Sequence, residues 1–464
     1  MSTPEAKTQN EVTVLDGIVT DTVSPAGLDL FRRPFSTILP IDRLRAWAVR
    51  GGSSVLQQGL FAGSHFLANV LLARWMTPEA YGAFALAYSF YLLLLAVYMA
   101  LVYEPLLVYG SGRYETSFPA YVGVLSRGHF VLLLPASLVV VAVAPAIGHF
   151  YSHSFQAAFA ALAVASPFLL LMWLFRGVFY ARLNAYAGTL AGACYFAILL
   201  LSLLALRRLQ LLSPATALEG MALSSFVVSL GCWYWFHVSR SATREQSVVS
   251  SGRVLADHWR YGRWAALTAI VAWIPANIYY ALLPSRFGLE GTATLRAMMN
   301  LMYPLLHSFS ALLTLLIPIL VRQRSRHGVQ RSKQTTLQLI SIYVPAGILY
   351  LLLVIGFRAP ILRFLYSDRY ANVPFAAVLF VAMLPITTGV IGLLGAALRS
   401  FELPHLVFRG YFASSIIAVL VGIPLTFHFG VSGAAAAIVL NDLPGIAVLA
   451  ICLLRYKKSA GAQA

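Results

Sequence analysis

The chain has 464 residues, of which 59% are hydrophobic and only 11% are charged, and its net charge is +17. Soluble domains carry about 25% charged and about 45–50% apolar residues, so this composition excludes an ordinary soluble enzyme and a disordered chain. A chain this apolar has little surface to offer a nucleic acid, and its positive charge therefore needs another explanation.

Residues 1–50 are polar and lack the apolar core of a cleavable signal peptide, so we expect the first membrane helix to direct insertion. Residues 1–30 are predicted to be disordered. Residues 41–50 interleave arginines with Leu44, Trp47 and Val49, a pattern that suits either a short interfacial helix or a solvated basic linker.

Twelve apolar stretches are long enough to cross a bilayer as α-helices, which takes about 18 residues or more. The sequence therefore predicts an all-α polytopic membrane protein of about 12 transmembrane helices, with both termini on the same side. The stretches are 54–73, 82–104, 128–147, 157–178, 187–206, 217–237, 263–284, 292–321, 337–357, 374–398, 405–428 and 431–454.

The longest connection divides these stretches into two groups of six. We expect a cytoplasmic N-terminal segment (1–50), a first six-helix half (51–237), a cytoplasmic linker (238–262), a second six-helix half (263–455) and a cytoplasmic tail (456–464). Short echoes between the halves, such as Ala68-Asn69 with Ala276-Asn277, recur at separations of 208 to 216 residues. Parallel repeats around a central cavity are typical of transporters that bind substrate between the halves.

The basic residues are distributed unevenly over this topology. With cytoplasmic termini, 24 of the 33 Lys and Arg residues face the cytoplasm and 7 face the other side. This bias follows the positive-inside rule, so most of the charge specifies orientation and faces the anionic headgroups of the lipid bilayer. No nucleic-acid partner is predicted.

The sequence carries no recognisable catalytic signature. It has no P-loop, HExxH or GxSxG motif, and the longest predicted outer loop, around 358–373, is too short for a catalytic domain. The three cysteines, Cys194, Cys232 and Cys452, lie in apolar stretches without the spacing of a metal site. We predict no enzymatic activity and no cofactor.

Three stretches carry a family resemblance. They read LQQGLFAGSHFLANVLLARWMTPEAYGAFALAYSF from residue 56, FRGVFYARLNAYAGTLAGACY from 175 and WIPANIYYALLPSRFGLEG from 273. Each is similar to a segment of the polysaccharide-biosynthesis flippases, and with the twelve spans the resemblance covers about residues 45–455. It implies transfer of an undecaprenyl-pyrophosphate-linked oligosaccharide across the bacterial inner membrane, with a polymerase and export machinery as partners.

Polar residues inside apolar spans are candidates for substrate binding, because such residues are costly in lipid. Arg296 is the clearest, and Asn300 lies one turn further on its face of the helix. Asn69 and Asn277 occupy comparable places in the two halves. Arginine suits a pyrophosphate in a cavity of low dielectric constant. The alternative is that Arg296 extends toward the interface and the asparagines link helices.

Arginines at helix ends form a second group of binding candidates. The resemblance favours Arg176 as the first contact of the pyrophosphate, and Glu104 is a gating candidate that pairs with it at the cytoplasmic side. Arg409 is its counterpart in the second half, while Arg74 and Arg286 line the outer exit. Each of these cations also has a simple structural interpretation, as the complement of a helix dipole or an interfacial anchor.

Asp442 is the only acid near the centre of a span, and His307 is its candidate partner in coupling to a proton gradient. The alternative is that Asn441 and Asp442 satisfy backbone groups that Pro444 releases.

Three functions remain open from the sequence. The first is an alternating-access flippase for the lipid-linked oligosaccharide, and the second a cation-coupled multidrug or small-molecule exporter of the same superfamily. The third, a membrane-embedded glycan transferase, is disfavoured by the short outer loops.

Overall fold

A computed structural model describes residues 41–150, 153–182, 184–238, 249–401 and 403–456, and all regular structure in these ranges is helical. This confirms the predicted all-α membrane architecture. The boundary between two compact units falls between Gly52 and Ser53, and the site lies in the second unit. The helices are α1 Ile41–Trp75, α2 Pro78–Tyr98, α3 Glu104–Gly110, α4 Phe118–Phe150, α5 His153–Ala181, α6 Ala185–Arg208, α7 Pro214–Val238, α8 Ser251–Leu282, α9 Pro284–Gly356, α10 Arg358–Tyr366, α11 Phe375–Ser400, α12 Pro404–Ile417 and α13 Ile423–Arg455.

Nine described helical segments are long and apolar enough to cross a membrane. Glycines with left-handed backbone divide the longest helices: Gly328 (φ 80°) divides α9, and Gly430 (φ 58°) divides α13. Residues 289–327 of α9 are then a further segment, and α12 with α13 supplies two rather than one. The predicted stretches 54–73 and 292–321 thus lie in α1 and in this part of α9.

Loops predicted to share a side of the membrane do meet. The Arg113 guanidinium pairs with the Asp257 carboxylate at 2.8 Å, and we call this end of the bundle the basic end. At the opposite end, Arg369 donates to the Met76 carbonyl, and Arg74 donates to the Phe364 carbonyl at 3.4 Å. The two contacts at the opposite end join the first predicted half to the second, and the Arg113–Asp257 contact joins the first half to the predicted linker.

Helix α8 begins at Ser251, inside the segment that the sequence predicts to be a linker. The reason is the spacing of its buried residues: Val254, Asp257, His258 and Gly262 recur every three or four positions and face the first half. The hydrophobic pattern of the sequence does not predict this part of the helix, because two of the four buried residues are ionisable. Its exposed positions are rich in arginine and tryptophan.

Two π-helical turns interrupt otherwise regular helices. Met99–Tyr103 joins α2 to α3, and Ala418–Gly422 joins α12 to α13. Both turns contact α8. A β-carbon on Gly262 would lie 2.5 Å from the Ala100 carbonyl oxygen, and one on Gly422 would overlap the Tyr279 hydroxyl. Helix α8 therefore packs against an irregular turn near each of its ends.

The closest approach between α2 and α9 occurs at Gly82, where a β-carbon would overlap the Leu289 carbonyl group. Leu289 follows Gly288, whose φ of 65° turns the beginning of α9 toward α2. This contact holds the first turns of α2 and α9 together at the opposite end, next to the polar cluster described below.

The close approach predicts that Gly82→Ala lowers thermal stability. The added methyl group meets backbone that cannot rotate away, and overpacking of this kind costs about 1–3 kcal/mol. The matched control is Gly123→Ala in α4, where a β-carbon has no neighbour within 4 Å. The thermal unfolding midpoint of the detergent-solubilised protein is expected to fall for Gly82→Ala only, and equal midpoints for both variants would contradict the contact.

Candidate functional site

The predicted residue Arg296 lies at the junction of the two halves and is 2% exposed. Its Nε donates to Asn69 Oδ1 of α1 at 3.1 Å, and its Nη1 donates to the Tyr303 hydroxyl at 2.7 Å. The structure thus brings Arg296 and Asn69, two candidates 227 residues apart in sequence, into direct contact.

Aromatic rings surround the Arg296 guanidinium. Its central carbon lies 4.7 Å from the ring centroid of Tyr88, 5.0 Å from that of Tyr303 and 6.0 Å from that of Tyr280. Rings at these distances attract a cation through their quadrupoles, by about 0.5–2 kcal/mol each when water is excluded. These rings come from α2, α8 and α9, so both halves contribute to the cage.

The described residues supply no carboxylate to Arg296: its hydrogen-bond acceptors are an amide and a phenol, and the rest of its surroundings are rings. A buried cation that lacks an anionic partner costs several kcal/mol. The rings and the two hydrogen bonds offset part of this cost. The site therefore carries an uncompensated positive charge that favours an anion.

Asn300 forms a second polar layer one turn along α9. Its Nδ2 donates to the hydroxyls of Tyr81, at 3.0 Å, and Tyr366, at 3.3 Å, and the Tyr366 hydroxyl donates to the Ala297 carbonyl at 2.8 Å. The Asn300 Oδ1 is buried and receives no hydrogen bond from the described residues. The layer thus offers one free acceptor.

The tyrosines near this layer are neutral. Burial raises the pKa of the Tyr366 hydroxyl and of the Tyr370 hydroxyl in the following loop well above the ordinary value for tyrosine. Neither phenol therefore supplies the negative charge that Arg296 lacks.

Polar and aromatic contacts continue from Arg296 into the first half. Asn69 Nδ2 donates to the His65 carbonyl at 2.8 Å, and the His65 Nδ1 lies 3.3 Å from the Tyr88 hydroxyl. The His65 ring lies 5.7 Å from that of Tyr195, which stacks on Phe61 at 5.5 Å. This row of rings runs through α1, α2 and α6.

Arg176, near the end of α5, lies at the far end of the same row. It is 5% exposed, and its guanidinium carbon lies 4.3 Å from the Phe61 ring centroid and 4.8 Å from that of Trp173. The predicted partner Glu104, at the beginning of α3, is exposed. The pairing of Arg176 with Glu104 stays a prediction.

The remaining binding candidates are peripheral to this site. Arg74, Arg286 and Arg409 are exposed. Asn277 is partly buried, and its amide donates to the Trp273 carbonyl of its own helix at 3.3 Å. The structure therefore brings Arg296, Asn69 and Asn300 together, whereas the hydrogen bond described for Asn277 stays within its own helix.

The coupling candidate Asp442 accepts hydrogen bonds from two hydroxyls of α11, Thr387 at 2.6 Å and Thr388 at 3.2 Å. Its neighbour Asn441 instead donates to the Pro275 carbonyl and to the Tyr279 hydroxyl of α8. Asp442 thus forms hydrogen bonds with α11, and Asn441 forms hydrogen bonds with α8. The side chain of His307 lies outside the described residues, so its predicted partnership with Asp442 stays a prediction.

Sequence reasoning missed the tyrosines. Tyr81 and Tyr88 are seven residues apart on α2, and Tyr303 is seven residues beyond Arg296, so each pair shares a helix face. That spacing was a usable signal, because phenols on the face of a buried arginine are its natural partners. Tyr366 gave no such signal, since it belongs to the short helix α10 between two spans.

The sequence matches no protein-family model and no curated protein. Solved structures do match. A multidrug-resistance MATE family transporter of the MOP superfamily, in an inward-facing conformation, aligns over 88% of this chain and 100% of its own at a TM-score of 0.69 and 13% identity. The lipid II flippase MurJ, in an inward closed conformation, aligns over 88% of both chains at 0.63 and 11%.

A third structure is a MOP superfamily transporter from Pyrococcus furiosus, for which the reverse polarity of the binding pocket suggests a different function. It aligns over 88% of this chain and 93% of its own, with a TM-score of 0.63 and 13% identity. At these identities the likeness concerns the fold. The chain therefore has the fold of MOP superfamily membrane transporters.

The network predicts different consequences for the two asparagines of the repeat. Asn69→Ala leaves the Arg296 Nε without its acceptor, which costs about 1–3 kcal/mol and lowers the thermal unfolding midpoint. Asn277→Ala removes only a bond within one helix, and we expect a change within about 0.5 kcal/mol. A larger loss for Asn277→Ala in the same assay would mean that the contact of Asn69 with Arg296 is not the stronger constraint.

Proposed function

We propose that this chain is an alternating-access flippase that moves a lipid-linked oligosaccharide, carried on undecaprenyl pyrophosphate, across the bacterial inner membrane for polysaccharide biosynthesis. The glycan is of the O-antigen, capsule or exopolysaccharide class. The observation that carries the proposal is the buried Arg296 guanidinium, whose described partners are all neutral.

An anionic substrate explains why this charge is buried. A pyrophosphate between the halves pairs with the guanidinium by charge-assisted hydrogen bonds, the strong class, and so offsets the cost of burying the charge. The free Asn300 Oδ1 beside it suits a ligand with hydroxyl donors, such as a sugar. A cationic drug is repelled by the same site.

The transport direction follows from the predicted topology. With both termini cytoplasmic, the basic end faces the cytoplasm. The pyrophosphate then contacts Arg176 first and Arg296 last before its release. A polysaccharide polymerase and export machinery then receive the translocated glycan. The likeness to a lipid II flippase in fold supports this assignment without specifying the sugar.

The test is Arg296→Gln, which removes the charge and keeps an amide able to bond to Asn69. We expect export of surface glycan to be lost in cells, and affinity for undecaprenyl pyrophosphate to fall about tenfold to a hundredfold. Without ligand, the thermal unfolding midpoint is expected to stay equal or to rise, because the variant no longer buries an unpaired charge.

Arg326→Gln is the matched control, since it removes an exposed arginine that is not a binding candidate from the same helix and should leave export and affinity unchanged. A fall in the unfolding midpoint of Arg296→Gln with normal export would identify Arg296 as a structural residue and overturn the proposal.

The second candidate is a cation-coupled exporter of small molecules, and Asp442 favours it. An acid held by two threonine hydroxyls inside the second half is suited to binding and releasing a proton during transport. The MATE-like fold supports this candidate equally. Coupling through Asp442 is compatible with either substrate.

Asp442→Asn tests the coupling. The amide still accepts from Thr387 but no longer titrates, so transport in proteoliposomes should lose its dependence on an imposed proton gradient. Asp368→Asn, at an exposed residue of the 358–373 loop, is the control and should retain it. Unchanged gradient dependence in Asp442→Asn would exclude this carboxylate as the coupling group.

A further inference from the structure

The first four turns of α8, residues 251–264, have two different faces. The outer face exposes Trp259, Arg260, Arg263 and Trp264, and the indoles are 60% and 67% exposed. Arg253 is also exposed, and the single acid of the segment, Asp257, points inward. The large exposed side chains of these turns are therefore cationic and aromatic, apart from Leu255.

The inner face attaches α8 to the first half. The His258 Nδ1 donates to the Leu101 carbonyl at 2.9 Å, within the π-helical turn, and its Nε2 lies 2.6 Å from the Tyr121 hydroxyl. Asp257 accepts from Arg113 and from the Tyr114 hydroxyl, both at 2.8 Å. We call this set of contacts the π-turn dock.

The outer face has the chemistry of a phospholipid headgroup site. Arg260 and Arg263 are three positions apart, so their guanidiniums are neighbours on the helix surface and can converge on one phosphate. Trp259 and Trp264 flank them, and tryptophan is the side chain that settles at the level of the headgroups and glycerol. A zwitterionic headgroup offers this pair no net charge, whereas an anionic one does.

We propose that residues 251–264 bind an anionic phospholipid of the surrounding bilayer through Arg260 and Arg263, and that this lipid strengthens the π-turn dock on the opposite face of the same turns. The occupant is a bilayer lipid because the site lies on the outside of the bundle. The proposal holds for any transported substrate and is independent of the function proposed above.

The coupling has a simple physical basis. The lipid and the π-turn dock contact opposite faces of the same four helical turns. A bound headgroup therefore lowers the conformational entropy that α8 still has to lose when it docks. A lipid that binds the docked state more tightly shifts the equilibrium toward it by its differential affinity. The composition of the bilayer thereby sets how readily the halves part at the basic end.

The experiment uses the full chain in nanodiscs of phosphatidylcholine with or without phosphatidylglycerol. Native mass spectrometry should show preferential retention of phosphatidylglycerol by the wild-type protein, and the double variant Arg260→Gln/Arg263→Gln should reduce that preference about tenfold or more. The control Arg326→Gln/Arg331→Gln removes the same charge from two exposed arginines without flanking tryptophans and should retain it.

Hydrogen exchange of the 99–110 backbone reports on the dock. In the wild-type protein and the control, phosphatidylglycerol should slow this exchange several-fold, and in the Arg260/Arg263 variant it should have no effect. Equal lipid preference in the two double variants overturns the site. A lost preference with unchanged, lipid-sensitive exchange overturns the coupling, and with it the proposal.

Discussion

The Arg296 guanidinium imposes the strongest constraint on this structure, because it is enclosed by protein and its described partners are an amide, phenols and aromatic rings. Each partner comes from a different part of the chain, and α1, α2, α8 and α9 must hold their relative positions for the cage to exist. The glycine contact between α2 and α9 lies next to it for the same reason: Tyr81 reaches Asn300 only because Gly82 allows the helices to touch.

A second constraint is that a helix inside a bilayer has no water to satisfy its irregular backbone. Side chains from neighbouring helices do so here. His258 donates to a carbonyl of the first π-helical turn, and Ser415 donates to the Val271 carbonyl, which has lost its helical donor because Pro275 has no N–H. Polar residues that look functional in the sequence are thus of two kinds, and only the structure separates them. Asn441 donates to a backbone carbonyl and a hydroxyl of α8, whereas its neighbour Asp442 accepts hydrogen bonds from threonine hydroxyls of α11.

The sequence predicts the architecture well, since apolar length and the distribution of arginine are direct consequences of the bilayer. It also singles out Arg296, Asn69 and Asn300, because a polar group in an apolar run stands out. It does not predict the cage, because tyrosine is common in membrane helices and pairing across some 200 residues leaves no local pattern. The sequence predicts a linker where α8 begins, because a helix that buries Asp and His while it exposes Trp and Arg inverts the usual amphipathic pattern.

The glycines that join the halves have a consequence for the speed of their separation. At Gly82 and at Gly262, at opposite ends of the bundle, the nearest atom of the partner helix is a backbone carbonyl oxygen. A glycine itself has no side chain that must change rotamer when two such surfaces part. The barrier to separation of the halves then depends on the few polar hydrogen bonds beside each glycine. Single substitutions of these hydrogen-bonding residues can therefore change how easily one end opens relative to the other.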